Sequence, residues 1–143
     1  MYKKVLVPIS PTAKQQKGNH AALERARKIC DGELVLLYVS EPVAQTIGGA
    51  GRLEVESEIK SNALHLLEPY IQELEKAGVS FHTRIVPGTV AEVIVQTAAN
   101  ENADLIVMYT DGREDFADLF LGTITERVLR DTGTDLLAIR QQA

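Results

Sequence analysis

The sequence predicts an α/β fold, a doubly wound five-stranded parallel sheet with helices on both faces. Three observations predict it. Short apolar runs alternate along the chain with longer segments whose apolar residues recur every three or four positions. The runs ELVLLYV (Glu33–Val39) and DLIVM (Asp104–Met108) are apolar at consecutive positions, as strands covered on both faces must be. Successive runs are separated by helical segments, which imply parallel pairing through crossover connections.

The first strand is expected at Lys4–Ile9 (KVLVPI), followed by a helix over Ala13–Asp31 with Ala22, Leu23, Ala26 and Ile29 at helical spacing. Gly32 stands where a C-cap glycine would end that helix, and Glu33–Val39 follows as the second strand. Pro42 and the Gly48-Gly49-Ala50-Gly51 run mark Ser40–Leu53 as a mobile loop, a flap beside any cleft at the strand tips. Helical periodicity resumes over Glu54–Lys76. Pro69 inside it predicts a kink or a break into two helices, because proline in a helix interior costs about 3 kcal/mol. Phe81–Val86 reads as the third strand, and Pro87-Gly88 turns the chain into a helix over Thr89–Asn102. Thr89 and Glu92 have the spacing of a capping box. Asp104–Met108 is the fourth strand, Tyr109–Gly122 a loop, Thr123–Asp131 a short helix and Asp135–Arg140 the fifth strand.

A chain of 143 residues without a linker or repeat suits one domain over 1–143. Its longest apolar runs fall far short of the roughly 20 residues a membrane-spanning helix needs. The basic start Met1-Tyr2-Lys3-Lys4 leads into an apolar segment that stops at Pro8, unlike a signal peptide. Cys30 is the only cysteine, so no internal disulfide can form; it reads as a small buried hydrophobe in a reducing cytoplasm. A net charge of −5 with scattered Lys and Arg gives no footprint for nucleic acid.

In a doubly wound sheet ligands bind outside the carboxyl ends of the strands, where strand order reverses, which directs attention to Pro8–Thr12, Val39–Glu41 and Met108–Gly122. Gly112 follows the fourth strand, and Gly122-Thr123 opens a helix. Free N–H groups and a hydroxyl at a helix start suit an anion such as phosphate. From spacing alone, a loop glycine and an ordinary Gly-Thr helix start account for the same residues. His20, His65 and His82 fall in separate elements and lack three-ligand metal spacing. Asp111 and Glu114 could form an acid/base couple or be solvated loop charges, and no activated nucleophile is recognisable. A phosphorelay receiver would need acids where Ile9-Ser10 stand, and an ATP pyrophosphatase a Ser-Gly-Gly-rich loop where Ser10-Pro11-Thr12 stand.

Four segments give the site its context: KVLVPIS at the start, LVLLYVSEP after the first helix, ADLIVM before the long loop and LFLGTITERVLRDTGTDLLAIR at the end. In order and spacing, over nearly the whole chain, they resemble the universal stress protein (UspA-like) family. The resemblance implies an adenine nucleotide alpha hydrolase-like fold, a non-enzymatic stress-response module with at most weak ATP hydrolysis, ATP or AMP as ligand, and a homodimer paired through the C-terminal strand. The family's loop pattern is glycine, two residues, glycine, nine residues, then glycine with serine or threonine. It falls here on Tyr109, Gly112 and Gly122-Thr123, and the family's aspartate after strand one falls on Ser10. Val39 matches a residue whose backbone meets adenine. The implied binding set is Pro8, Ile9, Ser10, Val39, Met108, Tyr109, Gly112, Gly122, Thr123, Ile124 and Thr125.

Two departures weigh against a triphosphate. Tyr109 replaces a glycine and would crowd the phosphate path, and Glu114, Asp115 and Asp118 add negative charge to the loop. The alternative is therefore a family member that has lost nucleotide binding and works through contacts with a protein client.

Overall fold

A computed structural model describes residues 1–10, 16–110 and 122–140. Its elements run β1 (Tyr2–Pro8), α1 (Gln16–Ile29), β2 (Cys30–Ser40), α2 (Gly49–Ala77), β3 (Phe81–Pro87), α3 (Val90–Asn100), β4 (Leu105–Thr110), α4 (Thr123–Asp131) and β5 (Asp135–Arg140). The strands form one sheet in the order β3-β2-β1-β4-β5, and every pair is parallel. The doubly wound, five-stranded expectation is met.

Alternation along each central strand feeds two cores. Val5 and Val7 of β1, Leu34 and Leu36 of β2, and Leu105 and Val107 of β4 face Leu23 and Ala26 of α1 and Leu67, Tyr70 and Leu74 of α2. Leu6, Val35, Leu37, Ile106 and Met108 point the other way, onto Ile94 and Ala98 of α3 and Val128 of α4. Strands buried on both faces must be apolar at every position, the pattern that marked β2 and β4 in the sequence.

Five local expectations are corrected. Gly32 does not cap α1; it lies inside β2, where a Cβ would overlap the carbonyl oxygen of Lys3. The β1–β2 register slips there, from Tyr2↔Cys30 to Lys4↔Glu33, as at a β-bulge. Cys30 begins β2 instead of ending a helix, and it is half-buried, with its thiol 3.6 Å from the Glu33 carbonyl.

The long helix starts five residues before Glu54, so the loop expected to reach Leu53 ends at Gly48. A glycine costs a helix about 1 kcal/mol relative to alanine, yet the helix includes Gly49 and Gly51. Arg52 supports this first turn by donating to the carbonyls of Ala44 and Ile47 and pairing with Glu56 at 2.8 Å. Pro69 does not break α2, which continues to Ala77 and ends on the C-cap Gly78. The lost backbone bond is offset by Leu67, Tyr70 and Leu74, which are buried against the sheet.

Thr89 is the N-cap of α3 as expected, but its side chain makes no capping bond. Glu92, the other half of the expected box, accepts from Arg127 of α4 at 3.3 Å.

Candidate functional site: the crevice between β1 and β4

The strand order reverses between β1 and β4, and there the sheet parts. β1 pairs with β4 only over Val5↔Leu105 and Leu6↔Ile106. Toward their carboxyl ends the two strands keep other partners: β1 follows β2 as far as Pro8↔Leu37, and β4 follows β5 as far as Thr110↔Arg140. In ladder pairing the tips of β1 and β4 are thus held from their outer sides, leaving a crevice at the switch point.

The β1 lip is Pro8, Ile9 and Ser10. Ile9 is buried and its N–H donates to the Leu37 carbonyl at 2.8 Å, which continues the β1–β2 ladder past the strand end. Ser10 is held by one side chain: its N–H donates to Asn19 Oδ1 at 3.1 Å, and Asn19 Nδ2 donates back to its carbonyl at 2.8 Å. The spare Nδ2 hydrogen of Asn19 reaches the Tyr70 hydroxyl at 3.1 Å. Nothing in the sequence singled out Asn19, because its partners lie 9 and 51 residues away.

The β4 lip is Met108 and Tyr109. Tyr109 lies within β4, opposite Ile139, and not in a loop. Strand alternation therefore turns Met108 into the α3/α4 core and the Tyr109 ring toward α1, where its Cγ, Cδ1 and Cδ2 fill the space a side chain at Gly18 would take.

Gly122 is the N-cap of α4, with φ 89° and ψ 144°, and no side chain caps the helix. A φ in that range favours glycine over any residue with a Cβ. Thr123 and Ile124 are exposed at the first turn, while Thr125 is buried. Val39, at the tip of β2, pairs with Val86 and is packed against the α3 side. Gly112 lies outside the described residues, as do Asp111 and the acidic Glu114, Asp115 and Asp118.

The strongest charge cluster among the described residues lies elsewhere. Glu101, beyond the end of α3, receives Arg84 Nη1 at 2.8 Å, Lys4 Nζ at 3.0 Å and His82 Nε2 at 3.1 Å. Burial works against its charge, yet these three donors bring its carboxyl down to about 2. Asp104, opened to the N–H groups of Lys3 and Lys4 at 2.9 Å each, is likewise held below the usual carboxylate range against the effect of burial. Both clusters pin the amino-terminal side of the sheet, opposite the crevice. Among the described residues no group of three His, Cys, Asp or Glu side chains is arranged to hold a metal, and no helix is long and apolar enough to cross a membrane.

Two hollows flank the sheet edges: one of about 810 Å³ between Lys17, Arg25 and Lys28 of α1 and Leu137, Ile139 and Arg140 of β5, the other of about 670 Å³ between α2 and the edge strand β3.

An all-parallel sheet with a crevice at its switch point and a glycine-opened helix above it defines the Rossmann-like class of α/β proteins. Within that class the chain belongs to the universal stress protein family, whose match spans residues 1–140. It is 29% identical over 144 residues to universal stress protein MJ0531 of Methanocaldococcus jannaschii, covering 99% of this chain and 84% of that protein. The solved structure of protein MJ0577 superposes with a TM-score of 0.77 at 26% identity, covering 100% of this chain and 99% of that one. A family protein from Arabidopsis thaliana, solved with AMP bound, has the same fold, with a TM-score of 0.70 at 20% identity over 99% of this chain and 93% of that one.

Proposed function

We propose that this protein is a cytoplasmic regulatory module, one domain over its length, that binds an adenine nucleotide, AMP or ATP, in the β1/β4 crevice and performs no catalysis beyond weak hydrolysis. The observation that carries the reading is the parting of β1 from β4 after Leu6 and Ile106, with Gly122 holding a left-handed φ at the start of α4. In this reading the first-turn N–H groups of α4 and the Thr123 hydroxyl meet phosphate oxygens, and the helix dipole contributes roughly 0.3–1 kcal/mol. Ser10 and the backbone of Val39 face the nucleoside. Pro8, Ile9 and Met108 form the walls, and Ile124 and Thr125 fix the helix start. The AMP-bound Arabidopsis relative supports the choice of ligand.

The experiment is calorimetric titration with ATP, ADP, AMP and a cyclic dinucleotide. A saturable response to AMP or ATP is expected; silence to all four would overturn the reading.

A second reading, contact with a protein client without nucleotide, is favoured by one observation. The edge strand β5 leaves Leu136, Leu137, Ala138 and Ile139 half-buried, and an edge of that kind is a template for another chain. The same edge is where a homodimer would form.

A further inference from the structure

Gly18 and Asn19 are consecutive in the first turn of α1, and between them they touch both lips of the crevice. The Tyr109 ring from β4 seats on Gly18, where any Cβ would overlap it. The Asn19 carboxamide brackets the backbone of Ser10 beyond β1, accepting from its N–H at 3.1 Å and donating to its carbonyl at 2.8 Å. Asn19 is 1% exposed, so no water replaces a bond lost there. Its other Nδ2 hydrogen goes to the Tyr70 hydroxyl at 3.1 Å, and Tyr70 is itself 4% exposed in the second half of α2. The Tyr70 ring lies 4.6 Å from that of His20, which pairs with Glu73 at 2.9 Å, so the tether is anchored along α2. An asparagine side chain spent on backbone outside its own helix gives the helix nothing; what it fixes is the strand tip.

We propose that Gly18 and Asn19 are positioning residues for the crevice: Gly18 sets how far the β4 lip swings toward α1, Asn19 fixes the conformation of the β1 lip at Ser10, and Tyr70 locks that setting to α2. The inference rests on the crevice being the nucleotide site, since that is where a sub-ångström change in the separation of the lips alters affinity.

Asn19→Asp keeps the volume and the acceptor for the Ser10 N–H, but it sets an oxygen against the Ser10 carbonyl. Tyr70→Phe keeps the ring and removes only the tether. Gly18→Ala displaces the Tyr109 ring, and Gly18→Ala with Tyr109→Gly removes the collision. Two kinds of readout are used: AMP and ATP affinity by calorimetry and, without nucleotide, the exchange rate of the Ser10 amide and the ring signals of Tyr109 by NMR.

In Asn19→Asp the Ser10 amide is expected to exchange at least ten times faster while the Val5–Val7 amides keep their rates, and AMP affinity is expected to fall at least tenfold. Tyr70→Phe should give a smaller change of the same sign in both. Gly18→Ala should shift the Tyr109 signals and weaken AMP at least fivefold, and the double variant should regain that loss. A purely structural role would lower melting temperature without the compensation. If Asn19→Asp does not fold, the Gly18 pair and Tyr70→Phe decide the matter. If the parent binds neither AMP nor ATP, the nucleotide reading falls and the Ser10 and Tyr109 signals alone decide whether the two residues set the crevice. Unchanged Ser10 exchange and unchanged Tyr109 signals in folded variants would overturn the proposal.

Discussion

The Arg84 guanidinium and the Glu101 carboxylate meet at 2.8 Å at the amino-terminal side of the sheet, and Glu101 is only 11% exposed. Lys4 and His82 approach the same carboxylate, so β1 and β3, which are not neighbours in the sheet, are joined through one residue after α3.

Glu101→Gln leaves these donors with a neutral partner and is expected to cost about 1.5–3 kcal/mol at pH 7, the range for hydrogen bonds to charged groups, as measured by urea unfolding. The pH dependence has a definite sign. The Glu101 carboxyl is lowered from an ordinary 4.5 to about 2 in the folded protein, so its contribution is full above about pH 4.5 and is lost as pH falls toward 2. The gap between parent and variant should therefore close over that window. A gap as wide at pH 3 as at pH 7 would refute the assignment.

Gly32→Ala should destabilise the fold by about 1–3 kcal/mol, because the new Cβ meets the Lys3 carbonyl, which is backbone and cannot swing aside. Thermal melting checks this, and Gly133→Ala serves as the control, since no atom lies within 4 Å of a Cβ there. Equal melting temperatures for the two variants would mean that the β1–β2 register slip is not held by that contact.

A homodimer paired through β5 is expected in solution. Ala138→Pro removes a backbone donor from the edge strand and places a ring that sheet pairing does not accommodate. Sedimentation at micromolar concentration should give a dimer for the parent and a shift toward monomer for the variant; a monomeric parent removes the prediction.

AMP is expected to compete well against ATP, because the sequence places the acidic Glu114, Asp115 and Asp118 between β4 and α4, where they would repel a triphosphate more than a monophosphate. Added salt should narrow the difference. Competition calorimetry at two ionic strengths tests this, and a large preference for ATP at low salt contradicts it.

Ser10→Asp with Tyr109→Gly should raise ATP affinity about tenfold, or about 1.4 kcal/mol. It should also lower stability by about 3 kcal/mol, since the Tyr109 ring now filling the space over Gly18 is lost. Gly122→Val should then abolish binding, because a β-branched residue does not hold a φ of 89°. A folded double variant with parental ATP affinity would favour the protein-contact reading.

The sheet was legible because burial on both faces leaves one composition open to a central strand, and β2 and β4 carry it from Leu34 to Leu37 and from Leu105 to Met108. The switch point followed from counting strands. What stayed illegible depends on atoms distant in the chain. Gly32 has the sequence context of a helix cap, and only the Lys3 carbonyl on a neighbouring strand makes it a strand glycine. Tyr109 looked like a loop residue because the end of β4 is set by its pairing with Ile139, not by its own propensity. Pro69 signalled a break, and burial of the residues around it overrode that signal. Asn19 gave no sign at all, since an asparagine near a helix start is usual for capping, and its true partners are the strand tip and another helix.

The separation of β1 from β4 is produced by connectivity and not by any residue at their tips. Chain crossings on opposite sides of the sheet leave these two strands with different companions, Leu37 beside one and Arg140 beside the other. Point substitutions in the glycine motif can weaken what enters the hollow, but they cannot seal it without rewiring the order of the strands. A berth at this place is therefore a property of the strand order, and the residues at its rim decide only what it holds.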